Sequence, residues 1–259
     1  MEETIRNLGA YNNGMAKSLQ DKLFFLPIIG DRISIFTDFG CADGTLLEAI
    51  HNYNNKIELY GVDSNTDMLA LTEERVPKAN LICDKIPPSS RLLLSGQVLN
   101  LSSVLHEVNS YCTKDEKEEF WNSLNNGDYD YITIRDMVYN GTDDESCFFL
   151  YPHTIKEMSD GRFGDIYEFI DIWGSITNKK NLMHYLLKYR YVQNWKREVK
   201  ENYLGYSTDD IINHIDSEKY ELIYRKDYIL PFLQKRIHDD FDIWIDTPTH
   251  TNLIFKRRQ

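Results

Sequence analysis

The sequence predicts an α/β fold, a mostly parallel sheet flanked by helices, with a helical insertion late in the chain. Three observations carry this. Ile33 to Asp63 reads as strand, glycine turn, helix and second strand. Strand-length apolar runs then alternate with helical patterns as far as Met137, as the crossover units of a parallel sheet do. About 80 residues separate Met137 from the next strand near Glu221, far more than a plain crossover needs.

The first unit is the most informative. Ile33 to Phe39 is an apolar strand that breaks at Gly40-Cys41-Ala42-Asp43-Gly44. Gly40 permits a sharp turn and close approach of a ligand. Gly44 does the same where the helix Thr45 to Ile50 begins, and the free N–H groups of that helix start suit an anionic or polar ligand. The second strand, Ile57 to Val62, ends on Asp63, placed to take both hydroxyls of a ribose. This is a nucleotide-binding half of an α/β sheet.

Composition narrows the class. With 259 residues, 42% hydrophobic and 13% aromatic, the chain is long and apolar enough for a sizeable core. No run approaches the roughly 18 apolar residues that span a bilayer, and Leu23 to Ile29 lacks the features of a signal peptide. Cys41, Cys83, Cys112 and Cys147 show no metal or disulfide spacing and read as free thiols. Together these predict a cytoplasmic protein without membrane contact or a metal site. The net charge of −12 argues against general nucleic-acid affinity, and double-stranded DNA is an unfavoured partner.

Asp38-x-Gly40-x-x-Asp43-Gly44 resembles the first motif of class I S-adenosylmethionine-dependent methyltransferases, rather than the G-x-G-x-x-G of dinucleotide dehydrogenases. The resemblance implies a Rossmann-like seven-stranded mostly parallel sheet flanked by helices. The last strand is antiparallel beside the sixth, and the helical insertion lies between strands 5 and 6. It implies S-adenosyl-L-methionine as cofactor, with Asp38 near the methionine amino group and Gly40, Cys41, Asp43 and Gly44 in the turn around it. Asp63 would take the ribose, with Ser64 and Met68 beside the adenosine. Asp84 would take the adenine amino group, with Lys85 as a second contact, and Leu101 and Ser102 would line the methionine part. It leaves out the insertion, at about 145–218, and the first 25 or so residues.

Taken in order, residues 1–30 read as an N-terminal helical lid before a core of 31–259. Tyr11, Met15, Ser18 and Lys22 share one helix face, beside a line of Leu19, Leu23 and Leu26. Such a helix covers a sheet edge, or closes over the cofactor with Lys22 or Tyr11 at its carboxylate. Ser64 and Asp67 have capping-box spacing for a helix that Pro77 stops. Asn80 to Cys83 is the third strand, and Gln97 to Val108 the fourth with its exit. Thr113 and Glu116 cap the next helix, and Tyr129 to Ile134 is the fifth strand, with Arg135-Asp136-Met137 as its exit.

Ligands in such sheets sit at the carboxyl ends of the strands. His106 is the histidine placed to act as a base, or else packs and hydrogen-bonds; Glu107 is the next candidate. Asp136 is expected on the substrate side. The Arg135-Asp136 dipeptide also occurs in transfer-RNA 3-methylcytidine methyltransferases, but a local salt bridge explains it as well.

In the insertion, Lys179 to Lys200 holds Lys179, Lys180, Lys188, Arg190, Lys196, Arg197 and Lys200 against one acid, Glu198. Tyr185, Tyr189, Tyr191 and Trp195 interleave. Two readings stand: a helix that holds a phosphate backbone and stacks bases, or an amphipathic lid whose aromatics are core. Ser207 to Asp210 caps a helix, Tyr220 to Arg225 is the sixth strand and Thr251 to Lys256 the last.

The resemblance implies methyl transfer by in-line displacement, which needs positioning more than acid–base help. An Asn/Asp-Pro-Pro-Tyr motif is absent at the fourth strand, and no proline precedes a cysteine as in 5-methylcytosine enzymes. RNA and small molecules remain as acceptors, with protein side chains third. The alternative is a non-catalytic module or subunit that holds the cofactor or its product S-adenosylhomocysteine.

Overall fold

The computed structural model of the chain describes residues 18–88, 95–148, 150–159 and 161–258. Its strands are β1 (Ile35–Phe39), β2 (Glu58–Asp63), β3 (Asn80–Cys83), β4 (Gln97–Ser102), β5 (Tyr131–Met137), β6 (Tyr220–Tyr228) and β7 (His250–Arg257). They form one seven-stranded sheet in the order β3-β2-β1-β4-β5-β7-β6. The strands from β3 to β5 are parallel, and β7 runs antiparallel to both β5 and β6. The expected fold class, last strand included, is the one observed.

Helices α1 (Leu19–Lys22), α2 (Leu26–Ile29), α3 (Thr45–Tyr53), α4 (Thr66–Arg75), α5 (Leu105–Tyr111) and α6 (Lys114–Asn126) belong to the first half. Between β5 and β6 come α7 (Leu150–Ser159), α8 (Ile166–Trp173), α9 (Lys179–Lys188), α10 (Trp195–Glu198) and α11 (Thr208–His214). Helix α12 (Pro231–Phe241) lies between β6 and β7.

Every residue of β1, β4 and β5 is buried, as in a sheet covered on both faces. One face carries Phe36, Val98 and Ile254, packed with Phe25 and Ile29 of α2 and its approach and with Leu47 and Ile50 of α3. The other carries Phe39, Leu99, Leu101, Ile132 and Ile134, packed with α5, α6 and α11. A further apolar cluster joins the insertion to α12, with Phe169, Leu186 and Tyr189 against Leu233, Ile237 and Phe241. The insertion therefore has a core of its own, tied to the sheet through the late chain.

Several boundaries differ from expectation. The N-cap of α4 is Asn65, whose side chain accepts the N–H groups of Asp67 and Met68, not Ser64. Strand β5 runs on through Met137 and β6 through Tyr228, because both continue pairing with β7 as far as His250. The single helix expected from Tyr11 to Leu26 is, from Ser18 on, two short helices, the second with a proline in its first turn. Tyr11 and Met15 lie outside the described residues. The basic stretch is not one helix either: α9 ends at Lys188, and a 3₁₀ turn separates it from α10. The capping boxes at Thr113–Glu116 and Ser207–Asp210 are both formed.

Candidate active site

The carboxyl ends of β1, β4 and β5 place a polar row inside a buried sheet. Asp38, Asn100 and Thr133 are register partners on adjacent strands, so their side chains share one face. Thr133 Oγ1 donates to Asn100 Oδ1 at 2.8 Å, and Asn100 Nδ2 donates to Asp38 Oδ1 at 2.8 Å. The row thus fixes the carboxylate. Burial pushes Asp38 up to about 7, against the pull of Asn100 and of Lys22. Lys22, on α1, is itself buried, and burial together with the Arg135 charge brings it down to about 8.

Lys22, Asp38, Gly40, Cys41, Asp43 and Ser102 line one small pocket with Leu19. Ser102 Oγ is buried there without a hydrogen-bond partner among the described residues. Gly40 is left-handed at φ +75°, and a Cβ there would stand 2.8 Å from Val104 Cγ2. The turn thus requires glycine on two counts. Gly44, also at φ +75°, shapes the start of α3 and does not itself line the pocket.

A second groove lies on the other side of the strand ends, lined by Asp63, Ser64, Asp84, Lys85 and Gly40 on one wall and by Val104, Glu107, Val108 and Tyr111 on the other. The Asp63 carboxylate faces the glycine turn: Oδ2 accepts the Ala42 N–H and Oδ1 the Asn65 N–H, both at 2.9 Å. Asp84 Oδ1 accepts the N–H groups of Lys85 and Ile86.

Three expected cofactor contacts change role. The Leu101 side chain is fully buried on the opposite face, because strand alternation that turns Asn100 and Ser102 toward the pocket turns Leu101 away. Met68 is buried beneath the groove and does not line it. Asp43 reaches the pocket, but Oδ1 accepts from Thr45 N and Oγ1 and Oδ2 pairs with Arg75 at 3.0 Å. It therefore engages a donor of the α3 start that had been expected to face a ligand, and it stiffens the turn.

Beyond Ser102 opens a cavity of about 110 Å³. His106 and Glu107 of α5 line it, with Arg135 and Met137 from the end of β5. The insertion supplies Tyr191, Arg197, Glu198, Glu201 and Tyr203, and α12 supplies Phe232, Leu233 and Arg236. Glu107 also lines the groove, so the two spaces share a wall.

Asp136 does not line this cavity. Its side chain is 1% exposed, with Oδ2 accepting the N–H groups of Val104 and Leu105 and Oδ1 accepting Met137 N–H and meeting His106 Nδ1 at 3.0 Å. The expectation that Asp136 faces substrate is thereby corrected: it orients His106 from behind. The expected Arg135–Asp136 salt bridge is absent too, since neighbours on a strand point to opposite faces. Arg135 instead pairs with Asp21 at 2.8 Å and donates to Ser103 Oγ, and Tyr228 OH donates to the same Asp21. This ties the α1 segment over the strand ends.

His106 is 3.0 Å from Asp136 and its Nε2 is 4.0 Å from Glu201 Oε2. Burial works against its charge, but Asp136, Glu107 and Glu201 outweigh it and raise His106 to about 9. Burial raises Glu107 and Glu201 above the usual carboxylate range. Arg197 Nη2 bridges the two, 2.9 Å from an oxygen of each.

The basic stretch is largely neutralised. Lys188 is fully buried, donating to the carbonyls of Glu198 and Glu201, and burial lowers it to about 7. Lys179, Lys180 and Arg190 pair with Glu145, Asp143 and Asp240. Tyr185, Tyr189 and Trp195 are buried. The amphipathic-lid reading of this stretch fits, and no continuous cationic track survives on it.

Of the cavity's charged residues, sequence reasoning had named Glu107 as a candidate base but missed Glu198, Glu201 and Arg236. Glu198 carried a signal, as the lone acid in a basic run; Glu201 and Arg236 carried none.

No protein-family model matches the chain, and no curated protein sequence matches it. Solved structures do. The methyltransferase domain of a bacterial Hen1 protein is 9% identical, over 92% of this chain and 97% of that one, at a TM-score of 0.51. The plantazolicin methyltransferase BpumL in complex with SAH is 12% identical, over 96% and 89%, at 0.54. The pyocyanin biosynthetic protein PhzM is 10% identical, over 98% and 60%, at 0.54. At these identities the likeness establishes a shared fold.

Proposed function

We propose that a chain with this methyltransferase fold is an S-adenosylmethionine-dependent methyltransferase acting on a small molecule. The observation that carries this is the pocket under α1, where the buried pair Asp38 and Lys22 stands beside the unpartnered Ser102 hydroxyl and the left-handed Gly40. Opposite charges there suit an amino acid's two ends: Asp38 its ammonium and Lys22 its carboxylate. Asp63 suits a ribose, and Ser64, Asp84 and Lys85 the adenine end of the groove. The bound cofactor supplies an electrophilic methyl group on a sulfonium.

The chain's own residues then position the acceptor. The cavity beyond Ser102 excludes water with Leu187, Tyr203 and Leu233. His106, oriented by Asp136, holds the acceptor's oxygen or nitrogen and takes its proton. Asp136, Glu107 and Glu201 hold the proton of His106 itself to about 9, so the neutral form that takes the acceptor's proton grows as the pH rises. The paired lysines of α9 support a small molecule over RNA.

Calorimetric titration with S-adenosylmethionine tests this. We expect micromolar binding, weakened at least about tenfold in Asp63→Asn, which retains one acceptor oxygen but loses the charge. Absence of binding to the wild type would sink the proposal.

A further inference from the structure

The proposed acceptor cavity contains a half-buried arginine that makes no ion pair among the described residues. Of the cavity's guanidinium groups, Arg135 pairs with Asp21 and Arg197 bridges Glu107 and Glu201. Arg236, on α12, has no carboxylate within ion-pair distance among the described residues. Its Nε is buried without a hydrogen-bond partner. Its guanidinium lies 5.2 Å from the ring centre of Tyr189 and 6.0 Å from that of Phe232. Aromatic faces hold the group in place but do not satisfy its N–H donors. A buried guanidinium donor without an acceptor is costly, and a planar fork of this kind is matched by a carboxylate.

The rest of the cavity lining is differently charged. It carries Glu107, Glu198 and Glu201 with His106, and Tyr203 OH donates to Glu198. Three glutamates disfavour a doubly charged anion such as a phosphate monoester. They suit an amine or hydroxyl, the kind of group that receives a methyl.

We propose that Arg236 anchors a carboxylate of the acceptor. The acceptor is a small carboxylic acid that presents a hydroxyl or amine to His106 across an apolar, aromatic middle. This rests on the methyl-transfer reading and gives its substrate class.

The test is calorimetric titration of the protein saturated with S-adenosylhomocysteine. The probes are 4-hydroxybenzoate, 4-aminobenzoate and phenylalanine, each against its primary amide. We expect at least one acid to bind at least about tenfold more tightly than its amide, the scale of a charged bidentate contact. Arg236→Gln should abolish that preference, and Arg236→Lys should retain part of it. Acids and amides that bind the wild type alike would overturn the anchor, as would a preference that survives in Arg236→Gln. Titration of S-adenosylmethionine into the same variants separates the two readings. Binding equal to wild type shows that Arg236→Gln is folded, and a wild type that binds none overturns methyl transfer itself.

Discussion

The groove beside Asp63, proposed for the cofactor, and the cavity around His106, proposed for the acceptor, share Glu107 as a wall, yet they are built in opposite ways. The pocket and the groove are together drawn mainly from one run of chain, Asp38 to Lys85, with α1, the end of β4 and α5 closing them. Their carboxylates, Asp38 in the pocket and Asp63 in the groove, sit at strand ends, where the sheet itself aims them. The cavity gathers Ser18, the start of α5, the end of β5, the segment after α9 and α12. Its side chains are aimed by helices that pack in a separate apolar cluster. A site set by backbone topology tolerates little variation, whereas a site set by helix packing can be remodelled without touching the sheet. Under the proposed function, the cavity is where substrate choice would reside.

Changing the insertion alone sharpens this contrast most. Lys188 holds the carbonyls of Glu198 and Glu201 from below, so Lys188→Met removes the support of the cavity's acidic wall. Transfer should fall by about a hundredfold or more, the scale of a misplaced reacting group. Calorimetric binding of S-adenosylmethionine should stay within about threefold. Equal losses of both would mean that the two regions are one cooperative unit.

A smaller effect is expected at Asp136. Its carboxylate raises His106, so a rate limited by neutral His106 should climb with pH through about 9. Asp136→Asn removes the charge, lowers His106 and should move that limb to lower pH by at least about one unit. A limb that lies below that of His106 and that Asp136→Asn leaves in place would assign the base to Glu107. The smallest effect is expected on the outside of the insertion. Charge reversal at Lys180 and Lys196 together should change transfer by less than about twofold, as exposed charges usually do. A large loss that deepens with added salt would instead revive an RNA acceptor.

The groove was legible before the fold was known because its signals are local. A glycine turn and a strand-ending acid follow from a few neighbouring residues, so the sequence put Asp38, Gly40 and Asp63 at the carboxyl ends of the first two strands, where they lie. Met68 and Leu101 were misplaced because adjacency in sequence does not say which way a side chain turns. The sequence likewise determined the sheet, its late antiparallel strand and the helical insertion, through hydrophobic period and spacing. Only the tertiary structure could decide what faces the acceptor cavity. Asp136 was turned behind His106 by the backbone donors of Val104 and Leu105, residues about 30 positions away. Lys188 was taken from solvent, and Arg236 was left without an ion pair among the described residues, by packing between the insertion and α12. Such choices depend on which distant charges meet once the chain is folded, and no local pattern encodes that.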